Sequence, residues 1–223
     1  MAEEISFTGG SQNCCVCFID IVDSTRTTTV ELAHPKQIKR YYSVFINTIA
    51  AIARDFDATV IKNTGDSVIY YFPKTTDFSN NMSAFKSVFE CGLTMISVNP
   101  IINAKLKEEG ALPNLSYRIS ADYGRVEVAR SLTSTSEDLF GPIVNLCAKI
   151  NSKAEPNGMV IGNNLYKVVK AKFDDDYHFN KIDEYSMDNS DNHQYYIYSV
   201  VSKDKNSNDK KLKLYKNILW NGT

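Results

Sequence analysis

The 223-residue chain has no apolar run long enough to span a bilayer and no basic-then-apolar leader at its N-terminus, which points to a cytoplasmic protein. It also lacks a charge excess. Lys and Arg number 25 against 26 Asp and Glu, a formal net charge of −1, so nothing global suggests wrapping nucleic acid or lying on an anionic membrane. A disulfide framework is missing too. The five cysteines are an odd number; Cys14, Cys15 and Cys17 crowd one segment, while Cys91 and Cys147 fall inside apolar periodic stretches. Neighbouring side chains on an extended strand point to opposite faces, poor geometry for a metal tetrahedron, so these thiols read as core residues in a reducing compartment. There are no internal repeats and no interior linker resembling a domain boundary. What remains is an ordinary globular composition, 43% hydrophobic and 23% charged, at a length suited to one well-filled domain.

The hairpin pattern from Val60 to Phe72 organises the chain. Two β-branched and aromatic arms flank an Asn-Thr-Gly-Asp turn, and arms this apolar belong in the middle of a sheet. Lys62 closes the first arm and Asp66 opens the second, and charges that near a buried sheet need a partner, a metal or a ligand. Upstream, Cys14 to Val22 is apolar except for Asp20 and reads as a buried strand with a carboxylate near its C-terminal end. Asp23-Ser24-Thr25 suits the cap of a short helix or a turn. His34-Pro35 opens an amphipathic helix. A second long helix runs from about Met82 to Val98, and Pro100 is expected to interrupt or end it. Leu115 to Asp122 and Arg125 to Ala129 read as paired strands around Tyr123-Gly124. A helix follows Gly141, then a short strand from Met159 to Gly162, a helix to Lys172, and a hairpin pairing Tyr177–Glu184 with Gln194–Val201. This order predicts an α+β fold, helices covering a largely antiparallel sheet. Residues 1–13 are expected to be a flexible arm, 14–201 the folded domain, and 202–223 a Lys-rich tail anchored by Leu219-Trp220.

Two constellations carry chemistry. If the strands bearing Asp20 and Asp66 are neighbours, their carboxylates converge at one sheet edge; two carboxylates plus a backbone carbonyl suit Mg²⁺ or Mn²⁺. On the helix after Gly141, Asn145 and Lys149 are four apart and share a face, an amide and a cation suited to a phosphate in its transition state. Each has an ordinary structural reading by itself, a strand-end carboxylate facing water and a half-exposed helix face.

Three ordered segments resemble the class III nucleotidyl cyclases, the adenylate and guanylate cyclase family. Phe18-Ile19-Asp20-Ile21-Val22-Asp23-Ser24-Thr25 looks like the family's first metal motif. Lys62-Asn63-Thr64-Gly65-Asp66 looks like its Gly-Asp hairpin. Asp138-Leu139-Phe140-Gly141-Pro142-Ile143-Val144-Asn145 is similar to its Asp-x-x-Gly-x-x-Val-Asn segment. The resemblance covers roughly residues 14 to 200 and implies a ferredoxin-like, palm-type sheet. It also implies an adenylate cyclase converting ATP to 3′,5′-cyclic AMP and pyrophosphate with two Mg²⁺ or Mn²⁺ ions per site. Asp20, Asp66 and the carbonyl of Ile21 would hold the metals. Lys62 and Asp138 would read adenine, Asn145 would orient the ribose, and Lys149 would meet the α-phosphate. A head-to-tail homodimer with sites shared between chains follows from the same resemblance. Two departures stand out. Lys149 occupies a position where the family usually carries arginine, and the terminal-phosphate lysine has no clear equivalent between Tyr185 and Gln194, Lys181 being the nearest stand-in. They keep open a second reading, a weak or silent cyclase-like module that binds nucleotide and regulates. A guanylate cyclase is a further alternative, with Lys62 against it. No Gly-Gly-Asp/Glu-Glu-Phe segment of a diguanylate cyclase is present.

Overall fold

The first long strand, β2 (Gln12–Ile21), alternates its side chains between two cores. Cys15, Cys17, Ile19 and Ile21 enter one, and Cys14 and Val16 the other. The computed structural model describes residues 5–6, 11–32, 34–131, 137–186, 194–204 and 215–216. Over these, β2 leads to the short helix α1 (Ser24–Arg26), a π-helical turn (Thr27–Glu31) and the long helix α2 (Pro35–Asp55). His34 caps α2 by accepting from the Lys36 amide, and the Gln37 side chain accepts from the His34 amide in return.

Strands β3 (Thr59–Thr64) and β4 (Ser67–Phe72) form the expected hairpin, turning at Gly65 with φ 68°. Helix α3 (Met82–Glu108) is followed by β5 (Tyr117–Ser131) and β6 (Glu137–Phe140). Helix α4 (Pro142–Asn151), β7 (Gly158–Gly162), α5 (Asn163–Phe173), β8 (Tyr177–Ser186) and β9 (Gln194–Ser202) complete the domain. The sheet runs β3-β4-β2-β5-β7-β9-β8, antiparallel except between β5 and β7. Strands β1 (Ile5–Ser6) and β6 extend it along β5. Helices α2, α3 and α5 bury their apolar faces on one side of the sheet, and α4 with β6 covers the other. The α+β class and the largely antiparallel sheet agree with the sequence reading.

Three details differ from it. Leu115–Asp122 and Arg125–Ala129 are not two strands but parts of one, β5, because Tyr123 and Gly124 stay in register with Cys15 and Cys14 of β2. Pro100 neither interrupts nor ends α3. Asn99 and Asn103, flanking it, both donate to the Leu115 carbonyl, and Asn103 accepts from the Leu115 amide, tertiary bonds that offset the one a proline removes. The hairpin is central only through β4, every residue of which is buried; β3 is an edge strand. An edge accommodates Lys62 and the register shift between Val60 and Lys62 that an interior strand would not.

All five cysteines are buried and none is in a disulfide, as expected of core thiols. Of the N-terminal arm anticipated over 1–13, Ile5–Ser6 pair with β5 and Gln12 begins β2. Most of the anticipated tail, Leu219 and Trp220 included, lies outside the described residues, but Tyr215 is buried in the larger core. No described helix is long and apolar enough to cross a membrane.

Candidate active site

Asp20 is the penultimate residue of β2. Its Cα partners are Ser67 on one side and Arg118 on the other, so all three side chains rise from the sheet face that α4 covers. Ser67 Oγ donates to Asp20 Oδ1 at 2.6 Å. The turn after β3 brings Asp66 alongside: the Ile21 amide donates to the Asp66 carbonyl at 3.4 Å, and Ser24 Oγ donates to Asp66 Oδ2. Asp23, at φ 54°, turns the chain so that Ser24 reaches back to that carboxylate; aspartate tolerates this left-handed conformation better than most residues. Sequence and fold thus bring Asp20, Ile21 and Asp66 together, as the motifs required.

These residues line an open cleft of about 640 Å³ with Ser24, Arg26 and Arg118. Burial raises the Asp20 pKa, the nearby Asp66 raises it further, and the Ser67 bond and the Arg118 charge pull it back. A carboxylate pair in this state gains from a cation. Arg118 was not singled out in the sequence, where it is one basic residue at the start of an alternating strand. In the fold its Nε is buried and has no hydrogen-bond partner among the described residues, and the residue lines the cleft with Asp20 and Asp66.

Asn145 and Lys149 line a different cleft, about 440 Å³, with Gly124, Arg125 and Asn164. The i, i+4 spacing therefore places them together, but no residue of this cleft also lines the first. Asp138 is half-buried on β6, opposite Ala129 of β5, and lines neither cleft. Lys62 is opposite Ile69 in the β3–β4 ladder; its side chain lies outside the described atoms. Strands β3 and β6 come into contact, which puts the strand of Lys62 beside that of Asp138. Lys181, the nearest stand-in for a terminal-phosphate lysine, lines neither cleft. It bonds Glu184, sits 4.0 Å from the centre of the Tyr196 ring, and belongs to β8 at the sheet edge opposite the hairpin.

The sequence pattern described as the adenylate and guanylate cyclase catalytic domain matches residues 8–200. A cytidylate cyclase of Staphylococcus aureus is 28% identical over 174 residues, 73% of this chain and 39% of that protein. The chain thus spans about two fifths of the length of this curated relative. Among solved structures, the guanylyl cyclase Cya2 aligns with a TM-score of 0.73 and 18% identity over 93% of this chain and 98% of that one. The adenylyl cyclase CyaB from P. aeruginosa aligns with a TM-score of 0.73 and 19% identity over 91% and 98%. At these identities the structures establish a shared fold.

Proposed function

Because the chain belongs to the adenylate and guanylate cyclase catalytic domain family, we propose that it converts ATP to 3′,5′-cyclic AMP and pyrophosphate in a head-to-tail homodimer. The observation that carries this reading is the cleft that Asp20, Ile21 and Asp66 line together with Arg118. The donor set fits Mg²⁺ or Mn²⁺: two carboxylates and the Ile21 carbonyl are hard oxygen ligands, and water and phosphate complete such a shell. Among the described residues no group of three or more His, Cys, Asp or Glu converges, so the third protein oxygen would come from the main chain. Two such ions, when bound, would acidify the ribose 3′-hydroxyl and neutralise the triphosphate.

The chain's own groups account for the remaining work. Arg118 offers a planar guanidinium to phosphate oxygens. From the partner chain's second cleft, Asn145 orients the ribose and Lys149 meets the α-phosphate. Lysine there keeps the charge but loses the bidentate fork. Lys62 donates to adenine N1 and Asp138 accepts from the 6-amino group. The 3′-oxygen then attacks the α-phosphorus, the α–β bridging bond breaks, pyrophosphate leaves, and the hydroxyl proton passes to solvent.

Relatives of this fold are named for three different bases, so the decisive experiment offers ATP, GTP and CTP separately with Mn²⁺ and then Mg²⁺, and identifies the product by chromatography. Cyclic AMP, lost in Asp66→Ala, is the expected result. Cyclic GMP or cyclic CMP would overturn the base assignment to Lys62 and Asp138. No cyclic product from a folded dimer would favour the second reading, a nucleotide-binding regulatory module, which Lys149 and the engaged Lys181 support.

A further inference from the structure

We propose that Asn151 is a positioning residue for the metal cleft, through which helix α4 sets the spacing of the two strands that carry Asp20 and Arg118. The inference rests on the cyclase reading of that cleft. Asn151 is the last residue of α4 and only 3% exposed. Its side-chain nitrogen donates to the carbonyl of Phe18 on β2 at 3.1 Å and to that of Arg118 on β5 at 3.0 Å. One amide with two hydrogens brackets two adjacent antiparallel strands. Phe18 is two residues before Asp20 on the same sheet face, and Arg118 is the cross-strand partner of Asp20. The bracket therefore closes beside the carboxylate and the guanidinium, where strand spacing fixes their separation.

One turn earlier the same helix is tied to the same strands. Cys147 Sγ lies within donating distance of the carbonyls of Val16 and Ser120, at 3.3 and 3.4 Å, with one S–H to share between them, and Ser120 Oγ donates to the Cys147 carbonyl at 2.7 Å. The opposite, exposed face of α4 carries Asn145 and Lys149. Asn151 thus joins, inside one chain, the metal half of one site to the helix that serves the other. A buried amide whose only role was to fill space would not need both hydrogens aimed at the strands that form the cleft floor.

The test is Mn²⁺ binding to the intact, nucleotide-free protein, read by electron paramagnetic resonance and therefore independent of turnover. Asn151→Leu removes both donors while keeping the branched shape of the side chain. Its Mn²⁺ Kd should rise roughly tenfold, the usual scale for groups that orient metal ligands. Asn151→Ser, whose hydroxyl is too short to span both carbonyls, supplies the same measurement should the leucine variant not fold. Val169→Ala, buried on α5 across the sheet, matches the loss of stability and should leave Mn²⁺ affinity unchanged. Wild-type Mn²⁺ affinity in both Asn151 variants would overturn the inference. If Asp66→Ala abolishes Mn²⁺ binding while the Asn151 variants do not alter it, only the positioning role fails. If Asp66→Ala binds Mn²⁺ as the wild type does, the cleft is not the metal site and both readings fall.

Discussion

Asp122 is fully buried in the middle of β5, accepts from the Leu165 amide at 2.9 Å, and receives the Tyr195 hydroxyl. Burial is the dominant influence and pushes its pKa up to about 6, against the opposing pull of Tyr195 and of the amides of Leu165, Tyr123 and Asn164. Between its ordinary 3.8 and about 6, the folded protein retains a proton that the unfolded chain has released. Stability attributable to this group therefore falls as pH rises through that window and is level above it. Two pKa units correspond to roughly 3 kcal/mol. The measurement is thermal unfolding of wild type and Asp122→Asn from pH 4 to pH 7. Asparagine does not titrate, so the wild type should lose stability relative to the variant as pH rises to 6 and then run parallel to it; parallel curves throughout would contradict the assignment. Other carboxylates titrate in both proteins and cancel in the difference. Asp20, also raised, adds its own decline to both curves equally.

The same carboxylate shows, at the level of elements, why some of the fold was legible and some was not. Periodicity located α2, the β3–β4 hairpin and the β8–β9 hairpin because each is specified by its own residues: a capping box at His34, a positive φ at Gly65, a β-branched and aromatic run from Tyr195 to Val201. The cleft that gathers Asp20 and Asp66 was legible for the same reason, since Asp20 is the lone carboxylate of one apolar strand, Asp66 precedes the next, and one pairing register brings them together. Asp122 had no such signal. It caps α5 from 43 residues away, while the local N-cap position is held by Gly162, which has no side chain to cap with. Arg118 and Asn151 were hidden likewise, their meaning depending on a neighbouring strand rather than on their own spacing. Gly162 was legible only as a strand end, yet a Cβ there would collide with both the Tyr195 hydroxyl and the Asp122 carboxylate. Gly162→Ala should therefore cost about 2 kcal/mol in urea unfolding, in the range of other overpacked buried sites. Combining it with Tyr195→Phe, which removes the colliding hydroxyl, should cost less than the sum of the two single changes. Additive losses would place the strain elsewhere.

For the whole molecule, the decisive observation is that one chain holds two separate clefts. Asp20, Asp66 and Arg118 line one cleft, Asn145 and Lys149 another, with no residue in common. A nucleotide that needs both sets can be served if two copies meet head to tail, each giving its metal cleft to one site and its α4 cleft to the other. That arrangement makes a quantitative demand on mixtures. On the proposed function Asp66→Ala would remove a metal ligand and Asn145→Ala the ribose contact, so each homodimer should be inactive with every site broken. In a mixed dimer one site carries both lesions and the other carries neither. Equal mixing followed by subunit exchange makes half the dimers mixed, and one intact site in each restores roughly a quarter of the wild-type activity. The readout is cyclic nucleotide formed by the mixture against each parent alone, with exchange verified by differently sized affinity tags. A mixture that exchanges subunits yet stays as inactive as its parents would mean that both clefts serve the same site within one chain, and the shared-site dimer would have to be abandoned.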